Sequence, residues 1–191
     1  MSCSFGNLLL KEIILTREDE LIRQIHNGRR EYLDELVELY YPAILRYCMW
    51  HMPDRESAQD ATQETFLKLV RFIDHYSHKG QFKAFLYKIA ANTCIDLKRK
   101  HSVPEFSMES LAGLPQSAEY WQESGFQAAE DRQQLAASLA CLDSTQQELV
   151  LLRYGQELTL KEISAITRLP LRTVQTKLRR AVQKLKKYTT M

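Results

Sequence analysis

The sequence has few residues that interrupt helices, with 6 Gly and 5 Pro among 191 residues, and it offers no candidate strand. This scarcity favours an all-helical protein. Long apolar runs are also missing, since those at residues 8–10 and 149–152 are far too short to span a bilayer. The opening segment has one lysine and no small-residue cleavage site, which makes it a poor signal peptide. We therefore expect a cytoplasmic protein without membrane insertion.

Cysteine is sparse as well, because the four cysteines are scattered along the chain and none forms a Cys-x-x-Cys pair. This usage predicts reduced thiols in a cytoplasm and no disulfide framework. No spacing of His, Cys, Asp or Glu assembles a metal site, and no nucleophile, histidine partner and phosphate loop occur together. We expect no metal, no cofactor and no enzymatic activity.

Charge is balanced overall, at +2, but unevenly distributed along the chain. Residues 1–101 carry 15 basic and 14 acidic residues, whereas residues 102–131 carry six acidic residues and no Lys or Arg. Residues 132–191 carry 11 basic and 4 acidic residues. This polarisation indicates an anionic partner for the C-terminal part.

Helical periodicity divides the chain into two domains. After an N-terminal extension, residues 1–15, apolar stripes predict helices near residues 16–27, 30–51, 57–75 and 82–101, which form a first domain over residues 16–101. Pro42 is expected to kink or divide the second of these helices. Residues 102–128 lack a sustained period and predict a flexible acidic linker, followed by a second helical domain over residues 129–191.

The second domain contains the strongest motif. Thr159 and Glu162 form a predicted capping box that opens a short helix, and residues 168–170 make a turn into a longer helix. The longer helix has an apolar stripe and an opposite basic face, with eight basic residues and no acidic residue between positions 168 and 187. A basic face is often merely solvated, but this layout is typical of a helix-turn-helix that reads the major groove.

Two patterns in the first domain leave alternatives open. Asp60, Gln63 and Glu64 form a polar face that is either solvated or a docking surface for a protein. Aromatic and basic residues alternate between positions 72 and 100, a pattern that suits single-stranded nucleic acid. The alternative for Phe82 and Phe85 is that their rings belong to the core.

Taken together, the motifs of both domains resemble those of a known protein family. Residues 60–71 and 82–99 resemble the second conserved region of bacterial RNA polymerase sigma factors, and residues 142–154 and 158–181 resemble the fourth. Two such regions joined by a short linker resemble the extracytoplasmic-function group. The resemblance implies core RNA polymerase and promoter DNA, both duplex and single-stranded, as partners, and it leaves an anti-sigma factor open as another.

The resemblance also implies three sets of site residues. The polymerase-binding residues it implies are Asp60, Gln63, Glu64 and Phe66. Those at the minus-ten promoter element are Phe82, Phe85, Lys88, Asn92, Asp96, Arg99 and Lys100, next to a strand-separating loop over residues 73–81. Those at the minus-thirty-five element are Arg172, Thr173, Thr176, Lys177 and Arg180.

The chain departs from the family pattern at five positions. Phe85 stands where Trp is usual, Ala91 and Gln147 where Arg is usual, Arg168 where Gly is usual, and Gln175 where Lys is usual. An arginine at a left-handed turn position carries strain on the order of 1 kcal/mol. The sequence thus predicts a transcription initiation factor, and the alternative is a stand-alone helix-turn-helix regulator that binds an operator without polymerase.

Overall fold

The computed structural model describes residues 17–77, 80–101 and 139–189. Within these ranges the regular structure is helical and contains no strand, which confirms the predicted all-α fold. The predicted N-terminal extension lies outside the described residues, and so does the predicted linker, residues 102–128.

Four helices build the first domain. Residues 17–26 form α1, and α2 (Tyr32–His51), α3 (Arg55–Phe72) and α4 (Phe82–His101) follow. The last three pack on one another, and buried residues of all four form an apolar core. A short 3₁₀ turn, Ile73–His75, continues α3 where the sequence predicted the same helix to run on to residue 75. The start and end of α4 agree with the prediction.

In the first domain the structure excludes one of the two outcomes predicted at Pro42, and it differs from the prediction at Phe72. Pro42 lies inside α2 without dividing it. Its ring is exposed, so the carbonyl group that loses a helical donor faces solvent and can be hydrated. Phe72 was predicted to belong to the apolar stripe of α3, but its side chain is 52% exposed at the last position of that helix. The core continues through Leu69 and Ile73, both fully buried, while Phe72 faces away from it.

Three short segments and one longer helix make up the second domain. They are α5 (Ser144–Val150), a π-helical turn (Leu151–Gly155), α6 (Leu160–Thr167) and α7 (Leu171–Thr189). α7 packs against both α5 and α6. The apolar stripe of α7 is buried as predicted at Val174, Leu178 and Ala181, and it is partly buried at Leu185.

Side chains close the helix ends of this small domain. Asp143 and Gln146 form a reciprocal capping box on α5, and Thr159 and Glu162 form the predicted one on α6. α6 ends at Arg168, whose φ of 58° and ψ of 16° lie in the left-handed region. The expected strain at this turn is therefore present.

Candidate nucleic-acid interface

The polar face predicted on α3 is present at the surface. Asp60 and Gln63 are exposed and Glu64 is half-buried. Phe66, predicted to join them, is instead buried, and its ring stacks on that of Tyr41 at a centroid distance of 6.0 Å. Tyr41 is 40% exposed, so Tyr41 is the ring of this pair that presents surface to solvent.

Leu67 adds an apolar element to this face that the sequence reasoning missed. Its side chain is 48% exposed and lies one helical turn after Gln63. Leu67 therefore adds one apolar side chain to a face that is otherwise polar. The sequence signal was present, because Leu67 breaks the apolar spacing of α3.

A groove runs between α3 and α4, with a volume of about 590 Å³. From α3 it is lined by the polar face together with Leu67 and Lys68, and α4 contributes Thr93, Asp96, Leu97, Arg99 and Lys100. Residues predicted separately for polymerase and for the minus-ten element therefore share one groove. The sequence could not show this, because the two sets are about thirty positions apart.

Lys68 connects the two walls of the groove. Its Nζ donates to Thr93 Oγ1 at 3.2 Å and lies 3.5 Å from Asp96 Oδ2. The contacts fix Asp96, a predicted minus-ten residue, relative to α3. Sequence reasoning did not assign Lys68 a role.

The aromatic residues form a cluster at the start of α4. Phe82 is fully buried, with Tyr40 and Tyr76 each at a centroid distance of 5.5 Å. Phe85 is half-buried and stacks on Tyr76 at 4.7 Å. Phe82 thus offers no surface to a base in this structure, whereas Phe85 presents part of its ring. The core alternative raised for Phe82 matches its burial.

Further along α4 the predicted residues form an outer polar face. Lys88, Asp96, Arg99 and Lys100 are exposed. Asn92 is half-buried, and its Oδ1 accepts a hydrogen bond of 2.6 Å from the guanidinium group of Arg168 in the second domain. Two full turns of this face separate Lys88 from Asp96.

α7 carries the third set of predicted residues. Arg172 and Arg180 are exposed, and Thr173, Thr176 and Lys177 are half-buried. The Thr176 hydroxyl donates to the Arg172 carbonyl group at 2.8 Å, which leaves its lone pairs directed outward as acceptors. The Ser164 hydroxyl donates to the Leu169 carbonyl group at 2.6 Å and fixes the turn between α6 and α7. This is the geometry of a helix-turn-helix.

Two of the five departures from the family pattern have clear structural roles. Gln147 is buried, and its Nε2 donates to the carbonyl groups of Leu139 at 2.7 Å and Leu142 at 3.1 Å. These hydrogen bonds satisfy two carbonyl groups in the segment directly before α5. Ala91, next to Asn92, is only 6% exposed, so no side chain projects from that position.

Comparison with known proteins agrees with these features. The sequence profile of Sigma-70 region 2 matches residues 36–103, and that of Sigma-70, region 4 matches residues 132–185. The chain is 30% identical over 155 residues to the ECF RNA polymerase sigma factor SigM of Bacillus subtilis, covering 81% of this chain and 93% of that protein. This chain is an extracytoplasmic-function RNA polymerase sigma factor.

Further relatives support the same family. The ECF RNA polymerase sigma factor SigW of Bacillus subtilis is 26% identical over 174 residues, covering 87% of this chain and 93% of that protein. Among solved structures, the complex of the sigma factor RpoE with the anti-sigma factor NepR from Bartonella quintana matches with a TM-score of 0.60 and 21% identity. That match covers 85% of this chain and 98% of the other, and at this identity it shows the shared fold.

None of the helices in the described part of the chain has the length and apolar character needed to cross a bilayer.

Proposed function

We propose that this sigma factor binds core RNA polymerase through α3 and places α4 and α7 on the minus-ten and minus-thirty-five promoter elements. The observation that carries the proposal is the distribution of polar groups: a polar, acidic face on α3, a mainly basic outer face on α4, and a basic face on α7, each backed by a buried apolar side. One chain thus presents one protein-docking surface and two nucleic-acid surfaces.

The polymerase surface consists of Asp60, Gln63 and Glu64 with Leu67 beside them, and it includes the exposed ring of Tyr41. Carboxylates around exposed apolar side chains suit a partner that carries basic residues around an apolar patch. Phe66 supports the surface from below by its stacking on Tyr41.

The minus-ten surface is the outer face of α4, with Lys88, Asn92, Asp96, Arg99 and Lys100 as its residues. Its cations attract the DNA backbone, while Asn92 and Asp96 supply hydrogen-bonding groups for base edges. Phe85 is the aromatic residue with ring surface to offer to an unstacked base. Unstacking costs a few kcal/mol per step, which capture of the base offsets.

The minus-thirty-five surface is the N-terminal half of α7. Arg172 and Lys177 can donate to guanine edges in the major groove, and Thr173 and Thr176 can bond to a base or a phosphate group. Arg180 lies two turns after Arg172 and suits a backbone contact.

Reconstituted transcription tests the proposal. Run-off transcription on genomic fragments with core polymerase should require this chain, and the double variant Asp60→Asn/Glu64→Gln should bind core polymerase at least several-fold more weakly. Glu56→Gln is the matched control, because Glu56 is an exposed acid in the first turn of the same helix. Normal polymerase binding by the double variant, or weak binding by the control, would contradict the proposed surface.

The stand-alone regulator is not favoured, because both regions of a sigma factor are present in their usual order. The same transcription experiment separates the two functions, since an operator-binding regulator would bind duplex DNA tightly without polymerase. We also propose that the chain has no catalytic activity of its own and acts in the cytoplasm. An anti-sigma factor is a further proposed partner, because the RpoE structure that shares this fold is a complex with the anti-sigma factor NepR.

A further inference from the structure

The turn between α1 and α2 contacts the start of the segment that connects α3 to α4. Gly28 ends α1 with a φ of 87°, and its N–H donates to the Ile25 carbonyl group at 3.0 Å. A left-handed glycine of this kind is a common way to end a helix. His26, the last residue of α1, and Arg30, two residues after Gly28, both reach the connecting segment from this turn.

Two side chains of the α1–α2 turn bind the 3₁₀ turn, Ile73–His75. Nε2 of His26 lies 3.0 Å from the carbonyl oxygen of Ile73, and the guanidinium group of Arg30 donates to the carboxylate group of Asp74. Because a carbonyl oxygen only accepts, Nε2 must carry a proton, as it does both in one neutral tautomer and in the imidazolium ion. The hydrogen bond therefore does not require a charged histidine.

The carbonyl group of Ile73 also holds Tyr76. The backbone N–H of Tyr76 donates to the same oxygen at 3.1 Å, so its two lone pairs can serve one donor each. The side chain of Ile73 is fully buried in the core. His26 and Tyr76 are thus joined through one oxygen atom of a residue that the core fixes in place.

Tyr76 in turn covers one face of the Phe85 ring. The two rings stack at a centroid distance of 4.7 Å with 23° between their planes, and Tyr76 meets Phe82 edge-on at 5.5 Å. Phe82 is fully buried, so it gives Tyr76 a fixed support. The position of Tyr76 therefore sets the orientation of Phe85, whose remaining surface is the one proposed to receive an unstacked base.

The polar contacts of the α1–α2 turn are not needed to attach α1 to the domain. α1 is attached by three buried apolar residues, Leu21, Ile22 and Ile25. His26 and Arg30 are exposed, and the Ile73 oxygen keeps the Tyr76 N–H as a donor when either side chain is removed. What the two contacts add is the position of the 3₁₀ turn relative to α1.

We propose that His26 and Arg30 are positioning residues for promoter opening. By holding the 3₁₀ turn they keep Tyr76 against Phe85, so that the Phe85 ring is oriented to capture an unstacked base of the minus-ten element. This inference rests on the function proposed above, in which Phe85 receives that base. It gives the α1–α2 turn a part in strand opening without any contact between this turn and DNA.

An abasic site measures capture of the base separately from DNA binding as a whole. Holoenzyme is bound to a promoter fragment, found by run-off transcription, whose minus-ten element is single-stranded, with one version for each strand. The same fragments then carry an abasic site at each position of the element in turn. The ratio of the two dissociation constants is the abasic penalty. The parent chain should show a penalty at the captured base, and Phe85→Ala should remove most of it.

Substitution of His26 tests its role through this ratio. His26→Leu should lower the abasic penalty by about two- to tenfold, the range that corresponds to one hydrogen bond. His26→Gln should retain most of the penalty, because its side-chain amide can donate to the Ile73 oxygen instead. Asn27→Leu is the matched control, with the same new side chain at the adjacent exposed position, and should leave the penalty unchanged. Partial unfolding would weaken binding to both fragments equally and would not change the ratio.

Charge reversal tests the role of Arg30. Arg30→Asp places two carboxylate groups together and should lower the abasic penalty by about two- to threefold. Addition of Asp74→Arg should restore the penalty, because the ion pair forms again with its charges exchanged. Both side chains are about half exposed, at 57% and 47%, so this effect should be smaller than that of His26→Leu.

The results separate the positioning role from the proposed function. An unchanged penalty in His26→Leu, or a penalty in His26→Gln as low as in His26→Leu, overturns the role of His26. A double variant no better than Arg30→Asp overturns the role of Arg30, and in each of these cases the proposed function stands. A parent holoenzyme without a penalty at any position, or with one that Phe85→Ala leaves intact, contradicts base capture by Phe85, and the positioning role falls with it.

Discussion

In the first domain, four helices and a cluster of aromatic rings surround the core. In the second domain, side chains hydrogen-bond to backbone groups at the ends of short helical segments. In the first, Phe82 and Tyr40 lie among buried residues contributed by every helix. In the second, Thr159 caps α6, which is eight residues long, and Gln147 bonds to two carbonyl groups directly before α5. A short helix leaves most of its terminal groups unpaired, so a small domain depends more strongly on such polar closures.

The same contrast applies to the two helices proposed to bind DNA. The proposed minus-ten surface on α4 has a neighbouring helix, α3, whose Lys68 contacts Asp96 across a groove. On the proposed reading face of α7, by contrast, the Thr176 hydroxyl bonds to the carbonyl group of Arg172 within the same helix. Contact with a second helix therefore positions Asp96, while the helix itself positions Thr176.

The largest expected effect comes from the ring cluster. Phe82→Ala should destabilise the first domain by about 3–5 kcal/mol, because a fully buried ring leaves a cavity. Urea denaturation followed by fluorescence of Trp50 measures the loss. Phe72→Ala is the control and should change stability by less than ~0.5 kcal/mol, since Phe72 is exposed. Unchanged stability of Phe82→Ala would contradict a core role.

The next largest effect on stability is expected from Gln147, whose amide group hydrogen-bonds to backbone carbonyl groups in the second domain. Gln147→Ala removes two hydrogen bonds from buried carbonyl groups and should destabilise that domain by about 1–3 kcal/mol. Hydrogen exchange of the α5 and α7 amides reports the loss within this domain. Gln175→Ala, at an exposed position of α7, should have almost no effect. Equal amide protection in the Gln147→Ala and Gln175→Ala variants would show that Gln147 does not stabilise the second domain.

Substitutions in α7 should distinguish residues that read bases from residues that attract the DNA backbone. In holoenzyme, Arg172→Ala and Lys177→Ala should each weaken promoter binding by about 1–3 kcal/mol and relax sequence preference. Lys187→Ala should weaken binding equally for all sequences and reduce the salt slope by ~0.9. Fluorescence anisotropy over a salt series measures both quantities. Unchanged selectivity in the Arg172 and Lys177 variants would remove these residues from readout.

The smallest expected losses of stability come from removing one helix N-cap in each domain. Thr159→Ala in α6 and Asp54→Ala in α3 each remove a side-chain acceptor at a helix N-terminus, with a cost of about 1 kcal/mol. The equal loss should lower the midpoint of the second domain further, because a smaller domain has a smaller entropy of unfolding. Calorimetry of the full chain resolves the two transitions, and a larger shift for Asp54→Ala would contradict the comparison.

Sequence reasoning succeeded where the determining pattern was local. The helix-turn-helix follows from the apolar stripe of α7, the capping box at Thr159 and the turn at residues 168–170, all within thirty positions. The boundaries of α4 follow in the same way. It failed at Phe72, because periodicity alone does not show which side of the last helical turn faces the core.

The amino-acid order by itself determined the helical class, the family and the charge carried by each presumed surface, since these depend on residue identity and short-range spacing. Only the tertiary structure decided that Phe82 is enclosed while Phe85 retains surface, that Lys68 contacts Asp96, and that Arg168 reaches Asn92. The last two contacts join positions 28 and 76 residues apart. Contacts of such separation depend on how helices pack, and no local pattern encodes that packing.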